Sequence, residues 1–299
     1  MGKVNFLTIY PLSFSEYLLA IGDDLLLDTL IHHHLSESLA EALHLKLLDH
    51  LKTYLYLGGM PEVVQDYLTN RDIASVREIQ NDILSAYQRD FSKYTEKNQS
   101  IKLSEFWNSI PGQLAKENKK FKYSEIRKGA RSSSYEQTVE WLRKAGLISV
   151  VNNLSTPKIP LSAYSDLSKF KIYIHDVGLL AAQLQISSDL VVDPGRLFSE
   201  FNGAFIENFI AQELRYHGWE QLYYWTSRSD AEVDFIIMTA DRIVPIEVKS
   251  GMNRNLKSLR SYADKYKPAT IVRMSPRNFL RSDDFINLPL YASATIHRI

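Results

Sequence analysis

The chain has 299 residues, 45% of them hydrophobic, which is enough for a sizeable core and for two or three modules rather than one. Its 35 basic and 35 acidic residues cancel, so overall charge announces no nucleic-acid partner and any basic surface must be regional. The absence of cysteine excludes disulfides, thiolate zinc sites and cysteine nucleophiles, and no apolar run makes a membrane span or a secretory signal; the expectation is a cytoplasmic protein with no membrane partner.

The opening Asn5-Phe6-Leu7-Thr8-Ile9-Tyr10 reads as a strand that turns into a helix. It needs a sheet to join, either later in this chain or in a preceding domain. Apolar stripes at helical spacing run through Phe14–Leu30, Leu35–Tyr56 and Ile73–Phe91, broken at Gly58-Gly59-Met60-Pro61, and make residues 1–100 a helical region. His32-His33-His34 is a polar helix face, because adjacent helical residues point about 100° apart and cannot converge on one metal.

Residues 101–165 read as a winged-helix-like domain. Ser124 is placed to cap a short helix, and Ser133 with Glu136 has capping-box spacing before a helix that turns Val139 and Leu142 inward and stops at Gly146. A strand at Leu147–Asn152 and a turn at Asn152-Asn153 then suggest the wing. Lys116–Lys144 carries nine Lys or Arg against four Glu. Lys119, Lys120, Lys122, Arg127, Lys128 and Arg131 are therefore candidate phosphate contacts, although a solvated surface explains the same pattern.

Residues 166–299 alternate helices and strands, which predicts an α/β domain. It comprises a helix over Glu200–His217, three strands, a helix near Asn255–Tyr266, a strand at Ala269–Met274 and a last extended stretch. His175-Asp176 has no nucleophile beside it and reads as structural. Trp141 and Tyr223-Tyr224-Trp225 read as core, with base stacking the lesser reading.

The chemistry concentrates in two strands, Asp230–Met238 and Ile243–Gly251, joined by a turn at Thr239–Arg242. A hairpin centred between Ala240 and Asp241 opposes residues whose numbers sum to 481, so Asp234 faces Glu247 with Cβ atoms about 4.5–5.5 Å apart. Both carboxylates then reach one divalent cation, and alternation puts Lys249 on the face of Glu247. Two carboxylates holding Mg²⁺ or Mn²⁺, with a lysine alongside, suit phosphodiester hydrolysis. Glu207 lies on the apolar stripe of its helix, where a carboxylate needs a partner, and a metal on the sheet beneath would be one. The plainer alternative is a solvated hairpin face on which Glu232 and Lys249 pair across the strands. Against it, Phe235–Met238 and Ile243, Val244 and Ile246 are apolar on both faces, as in a sheet covered on both sides.

Several runs resemble one family. These are Gly203-Ala-Phe-Ile-Glu-Asn-Phe-Ile-Ala-Gln-Glu-Leu214, Tyr223-Tyr-Trp225, Glu232-Val-Asp-Phe-Ile-Ile237 and Pro245-Ile-Glu-Val-Lys-Ser-Gly251. They resemble the C-terminal domain of prokaryotic AAA-type ATPases, a domain of unknown function similar to PD-(D/E)XK nucleases. Upstream, Tyr10-Pro-Leu-Ser-Phe-Ser-Glu-Tyr17, Tyr56-Leu-Gly-Gly-Met-Pro-Glu-Val63 and Ile174-His-Asp-Val-Gly-Leu-Leu180 extend the resemblance over essentially the whole chain. The resemblance implies a restriction-endonuclease-like fold for the last module. It also implies a catalytic set of Glu207, Asp234, Glu247 and Lys249, in which Asp234, Glu247 and Glu207 ligate the metal. No G-x-x-x-x-G-K-[ST] run occurs, so the family's ATPase module is expected to be missing and no ATP site is expected here. The expected activity is metal-dependent cleavage of nucleic acid, DNA rather than RNA. The alternative is a catalytically silent DNA-binding or protein-interaction module that works with an ATPase or with a second copy of itself.

Overall fold

A computed structural model describes residues 2, 7–93, 95–116, 120–188, 203–227, 231–240, 242–253 and 255–299. The first hundred residues are helical: α1 (Phe14–Ala20), α2 (Asp24–His32), α3 (Glu41–Leu57), α4 (Pro61–Asn70), α5 (Ile73–Lys93) and α6 (Lys97–Leu114). Ser13 and Glu16 cap α1 reciprocally. Pro61 opens α4, where its missing N–H costs nothing. No strand forms over residues 7–10; Asn5 and Phe6 of the expected strand lie outside the described residues. Of the three histidines only His32 is helical, and His33 packs on Phe279 with ring centroids 4.8 Å apart.

The Gly58-Gly59 break is a junction of three segments. Gly59 donates its N–H to Asp176 Oδ2 at 2.7 Å, and its carbonyl accepts from the Leu12 N–H, also at 2.7 Å. Asp176 Oδ1 accepts from Leu179 N–H and so caps α8 (Val177–Gln183), which makes Asp176 structural as expected. A Cβ on Gly59 would lie 2.1 Å from the Leu12 carbonyl oxygen, and one on Gly178 would lie 2.1 Å from that of Leu57. The three upstream motifs are thus one close approach of backbones, which only glycine permits.

Downstream come α7 (Glu136–Lys144), β1 (Ile148–Leu154) and β2 (Ser165–Ile174), preceded by short 3₁₀ turns at Tyr123–Glu125 and Ser132–Ser134. The expected caps do not form: Ser124 and Ser133 lie inside those turns, and α7 starts after Tyr135 without a side-chain cap. Asn152-Asn153 is a bulge rather than a turn, and β1 continues to Leu154, with Asn153 Nδ2 donating to Thr226 Oγ1 at 3.1 Å. β1 and β2 pair antiparallel, as a wing would, but the other edge of β1 pairs parallel with β3 (Leu222–Thr226). The expected wing is therefore continuous with the sheet of the last module, and the expected boundary after residue 165 falls at the first residue of β2.

The chain continues through α9 (Gly203–Tyr216), β4 (Glu232–Thr239), β5 (Arg242–Val248), α10 (Lys257–Tyr266), β6 (Ile271–Ser275), β7 (Leu280–Arg281) and β8 (Phe285–Pro289). Residues 200–202 of the expected helix lie outside the described residues, and the expected final extended stretch becomes 3₁₀ after Pro289. The eight strands run in the order β2-β1-β3-β4-β5-β6-β8-β7, with parallel and antiparallel neighbours mixed. Each face of the sheet carries apolar packing. Phe205, Ile206 and Phe209 of α9 cluster with Phe235, Ile237, Val244 and Ile246, whereas Leu259 and Tyr262 of α10 cluster with Trp225, Val233 and Ile236. No described helix is long and apolar enough to cross a membrane.

Candidate active site

The β4–β5 register runs from Thr239↔Arg242 to Phe235↔Ile246, so every paired number sums to 481 as expected, and one more step opposes Asp234 with Glu247. The ladder stops short of that step. Across β4 on its other side, Tyr223 pairs with Ile236 but Trp225 pairs with Val233, so Asp234 and Phe235 together oppose Tyr224. A bulge of this kind re-aims a side chain and is common beside functional sites. Here the Asp234 Oδ2 accepts the Val248 N–H at 2.9 Å, bringing its carboxylate against the strand that carries Glu247.

Glu207, Asp234, Glu247 and Lys249 all line one cleft of about 280 Å³ at the end of β4 and β5, with Glu232 beside them and Ser258 of α10 opposite. Lys249 Nζ lies 2.7 Å from Glu247 Oε1. Glu247 is 3% exposed, and its Oε2 is buried with no hydrogen-bond partner among the described residues. A buried carboxylate oxygen left in this way is costly unless a cation or donor comes to it. The donor chemistry therefore fits a divalent ion held by Asp234 and Glu247.

Glu207 meets two protein groups from β2. Tyr173 on β2 donates its hydroxyl to Glu207 Oε2 at 2.9 Å, and Lys171 Nζ is 3.5 Å from the same oxygen. Lys171 is 0% exposed, and it also stands 2.5 Å from Glu232 Oε1 and 3.6 Å from Asp234 Oδ1. Burial opposes charge on Lys171, but Tyr173, Glu207, Asp234 and Glu232 outweigh it and hold the ammonium well above the ordinary lysine range. Among the described residues no three His, Asp or Glu side chains surround one point closely enough to hold a metal ion. The cross-strand pair of Glu232 with Lys249 does not form, since Glu232 meets Lys171 and Lys249 meets Glu247.

Lys171 and Tyr173 are the site residues that sequence reasoning misses. The local pattern hides them: Phe170, Ile172 and Ile174 fall on one face of β2 and Lys171 and Tyr173 on the other, the alternation of a strand with one solvated face, although all five residues are buried. The rest of the α9 polar set anchors the helix. Asn208 exchanges two bonds with the Ile174 backbone, and Gln212 Oε1 accepts the Val177 N–H. Glu213 accepts from the Phe14 N–H and the Ser293 hydroxyl.

Tyr223, Tyr224 and Trp225 are buried, as core residues, and Trp141 packs edge-on to Phe91. In the basic stretch Lys122, Arg127, Lys128 and Arg131 are exposed and Lys120 is half-buried; Lys119 lies outside the described residues. Local pairs take up part of that charge: Arg127 with Glu105 at 3.5 Å, and Lys116 with Glu125 at 2.5 Å. A second cavity, of about 260 Å³ and largely apolar, lies among Tyr10, Met60, His175 and Arg215. Among the described residues it is lined by no carboxylate, and the hydroxyl of Ser149 in its wall accepts from Arg215 at 3.0 Å, so the acidic cleft is the stronger candidate.

Residues 48–190 match a family model described as a domain of unknown function (DUF8612). Residues 202–291 match a second, also described as a domain of unknown function (DUF4143). Neither the curated proteins nor the solved structures contain a match to the chain. The second match covers Glu207, Glu232, Asp234, Glu247 and Lys249, whereas Lys171 comes from the first.

Proposed function

We propose that this chain is a metal-dependent nuclease of the PD-(D/E)XK type that hydrolyses phosphodiester bonds of DNA. The observation that carries this reading is the convergence of Glu207, Asp234, Glu247 and Lys249, four residues from two strands, a following loop and a helix, on one cleft. Asp234 and Glu247 would hold Mg²⁺ or Mn²⁺, which when bound supplies positive charge at the phosphate and acidifies a water.

The chain's own residues do the remainder. Four carboxylates (Glu207, Glu232, Asp234, Glu247) face two ammonium groups (Lys171, Lys249), so without a cation the cleft is net negative and repels a phosphodiester. Lys249, beside Glu247 and about one-third exposed, can donate to the attacking water or neutralise charge growing on the phosphate. The exposed Lys122, Arg127, Lys128 and Arg131 offer backbone contacts to the nucleic acid. DUF4143 domains are known in AAA-ATPase-associated proteins, which supports an ATPase module as a partner. A second reading, a catalytically silent DNA-binding or protein-interaction module, draws on Lys171, which already neutralises acids that a metal would otherwise use.

DNA and RNA incubated with the protein and Mn²⁺ separate the two. The nuclease reading expects cleavage of DNA by the wild type and none by Asp234→Ala. Equally intact substrates with both proteins remove it, and a salt-sensitive mobility shift without cleavage favours the silent module.

A further inference from the structure

Lys171 enters the acidic cleft from outside the hairpin. Its strand, β2, is the edge of the sheet, and its Nζ lies over the Tyr224 ring, 5.1 Å from the ring centroid. The ammonium ends within 3.6 Å of three carboxylates, those of Glu232, Glu207 and Asp234, and it is completely buried. The closest of these, to Glu232, is an ion contact without hydrogen-bonding angles among the described residues. Attraction from several acids at once, rather than one directed bond, is how a spherical counter-ion sits. On the other side of Asp234 the arrangement differs. There Lys249 pairs with Glu247 Oε1 from a partly exposed position, and Glu247 Oε2 is left without a partner among the described residues.

Two-metal hydrolases place two ions about 3.5–4 Å apart, bridged by a shared carboxylate, to stabilise the attacking and the leaving oxygens. In this chain Asp234 stands between Lys171 and Glu247, and its Oδ1 has the Lys171 ammonium at 3.6 Å. Charge balance points the same way. Four carboxylates less two ammoniums leave two negative charges, the complement of one divalent ion and not of two.

We propose that Lys171 is a built-in cation that takes the place of a second metal on the Glu207–Glu232 side of Asp234, so that the cleft binds a single divalent ion on the Glu247 side. The proposal rests on the hydrolase reading of the cleft. It adds that residues 48–190 complete the site: the segment matched by DUF4143 supplies the acids, and the upstream strand supplies the charge that sets how many ions they hold. Lys171 acts here as a positioning residue, through Glu207 and Asp234.

The test is the number of Mn²⁺ ions bound by the full chain, counted by electron paramagnetic resonance of free Mn²⁺ and by equilibrium dialysis. Wild type should bind one ion per chain, and Lys171→Met, which keeps the length of the stem without its charge, should bind two. Lys171→Met leaves three acids uncompensated; if it does not fold, Lys171→Gln, which keeps a polar head among the same acids without the charge, carries the same expectation. Two ions on the wild type, or one on a folded Lys171 variant, overturns the proposal. A wild type that binds none sinks the hydrolase reading instead. In that case one ion gained by the Lys171 variant still supports a lysine at a cation position, and none gained overturns that too.

Discussion

Asn208 sits one residue beyond Glu207, is completely buried, and accepts the Ile174 N–H at 2.8 Å while donating to the Ile174 carbonyl at 2.9 Å. This amide clamp fixes α9, and so Glu207, to the end of the strand that carries Lys171 and Tyr173. Asn208→Ala removes both partners at once and leaves a buried backbone donor and a buried acceptor unsatisfied. Each such group costs about 1–3 kcal/mol, so the expected loss is about 2–6 kcal/mol, a large share of the roughly 5–15 kcal/mol that holds a typical domain together. Urea unfolding followed by circular dichroism and tryptophan fluorescence measures it directly. Asn208→Asp refines the test: it keeps an acceptor for the Ile174 N–H but sets a carboxylate against the Ile174 carbonyl, so its loss at neutral pH should equal or exceed that of the alanine variant. A loss below about 1 kcal/mol for Asn208→Ala would refute the argument that this clamp holds the helix in place.

Gly178→Ala forces a Cβ to 2.1 Å from the Leu57 carbonyl oxygen, and because both sides are backbone the α3–α8 junction must open. Overpacking together with a weakened Gly59–Asp176 bond should cost more than about 3 kcal/mol, read as a lowered urea midpoint. His175 and Asp176 make a pH prediction with opposing signs. Burial pushes the His175 imidazole down to about 4, so its contribution is complete above its unfolded value and is lost as pH falls toward 4. Burial pushes the Asp176 carboxyl up to about 6, so its contribution is complete below its unfolded value and is lost as pH rises through 6. Each effect is worth about 3 kcal/mol, and they nearly cancel between pH 4 and 6. His175→Phe should therefore make stability fall from pH 4 to 6, and Asp176→Asn should make it rise, in urea titrations at several pH values. Lys249→Ala should slow single-turnover DNA cleavage about 100-fold; an unchanged rate would remove Lys249 from the chemistry.

The hairpin was legible because its information is local. Two apolar runs and a short polar turn fix a register, which the ladder follows to Phe235↔Ile246, one step short of Asp234 and Glu247. The bulge that carries Asp234 was not legible, since it depends on how β4 pairs with β3 on its far side. The same limit misled the reading of residues 147–153. Their alternation announces a strand, but it says nothing of the parallel partner β3 about 70 residues on. Lys171 looks like a surface charge next to Lys169, yet Lys169 is exposed and Lys171 is not. The difference arises where α9 and β4 close over one end of β2, a contact between residues 34 to 63 positions apart. The apolar stripe around Glu207 shows that its carboxylate needs partners, but not that Tyr173 and Lys171 of β2 are among them.

Anomalous diffraction from crystals soaked in Mn²⁺ reaches the proposed metal centre most directly. The account predicts a peak roughly 2.0–2.6 Å from a carboxylate oxygen of Asp234 and from Glu247 Oε2 alike. Soaked crystals with no peak in this cleft, or with Mn²⁺ bound only elsewhere on the protein, would contradict it.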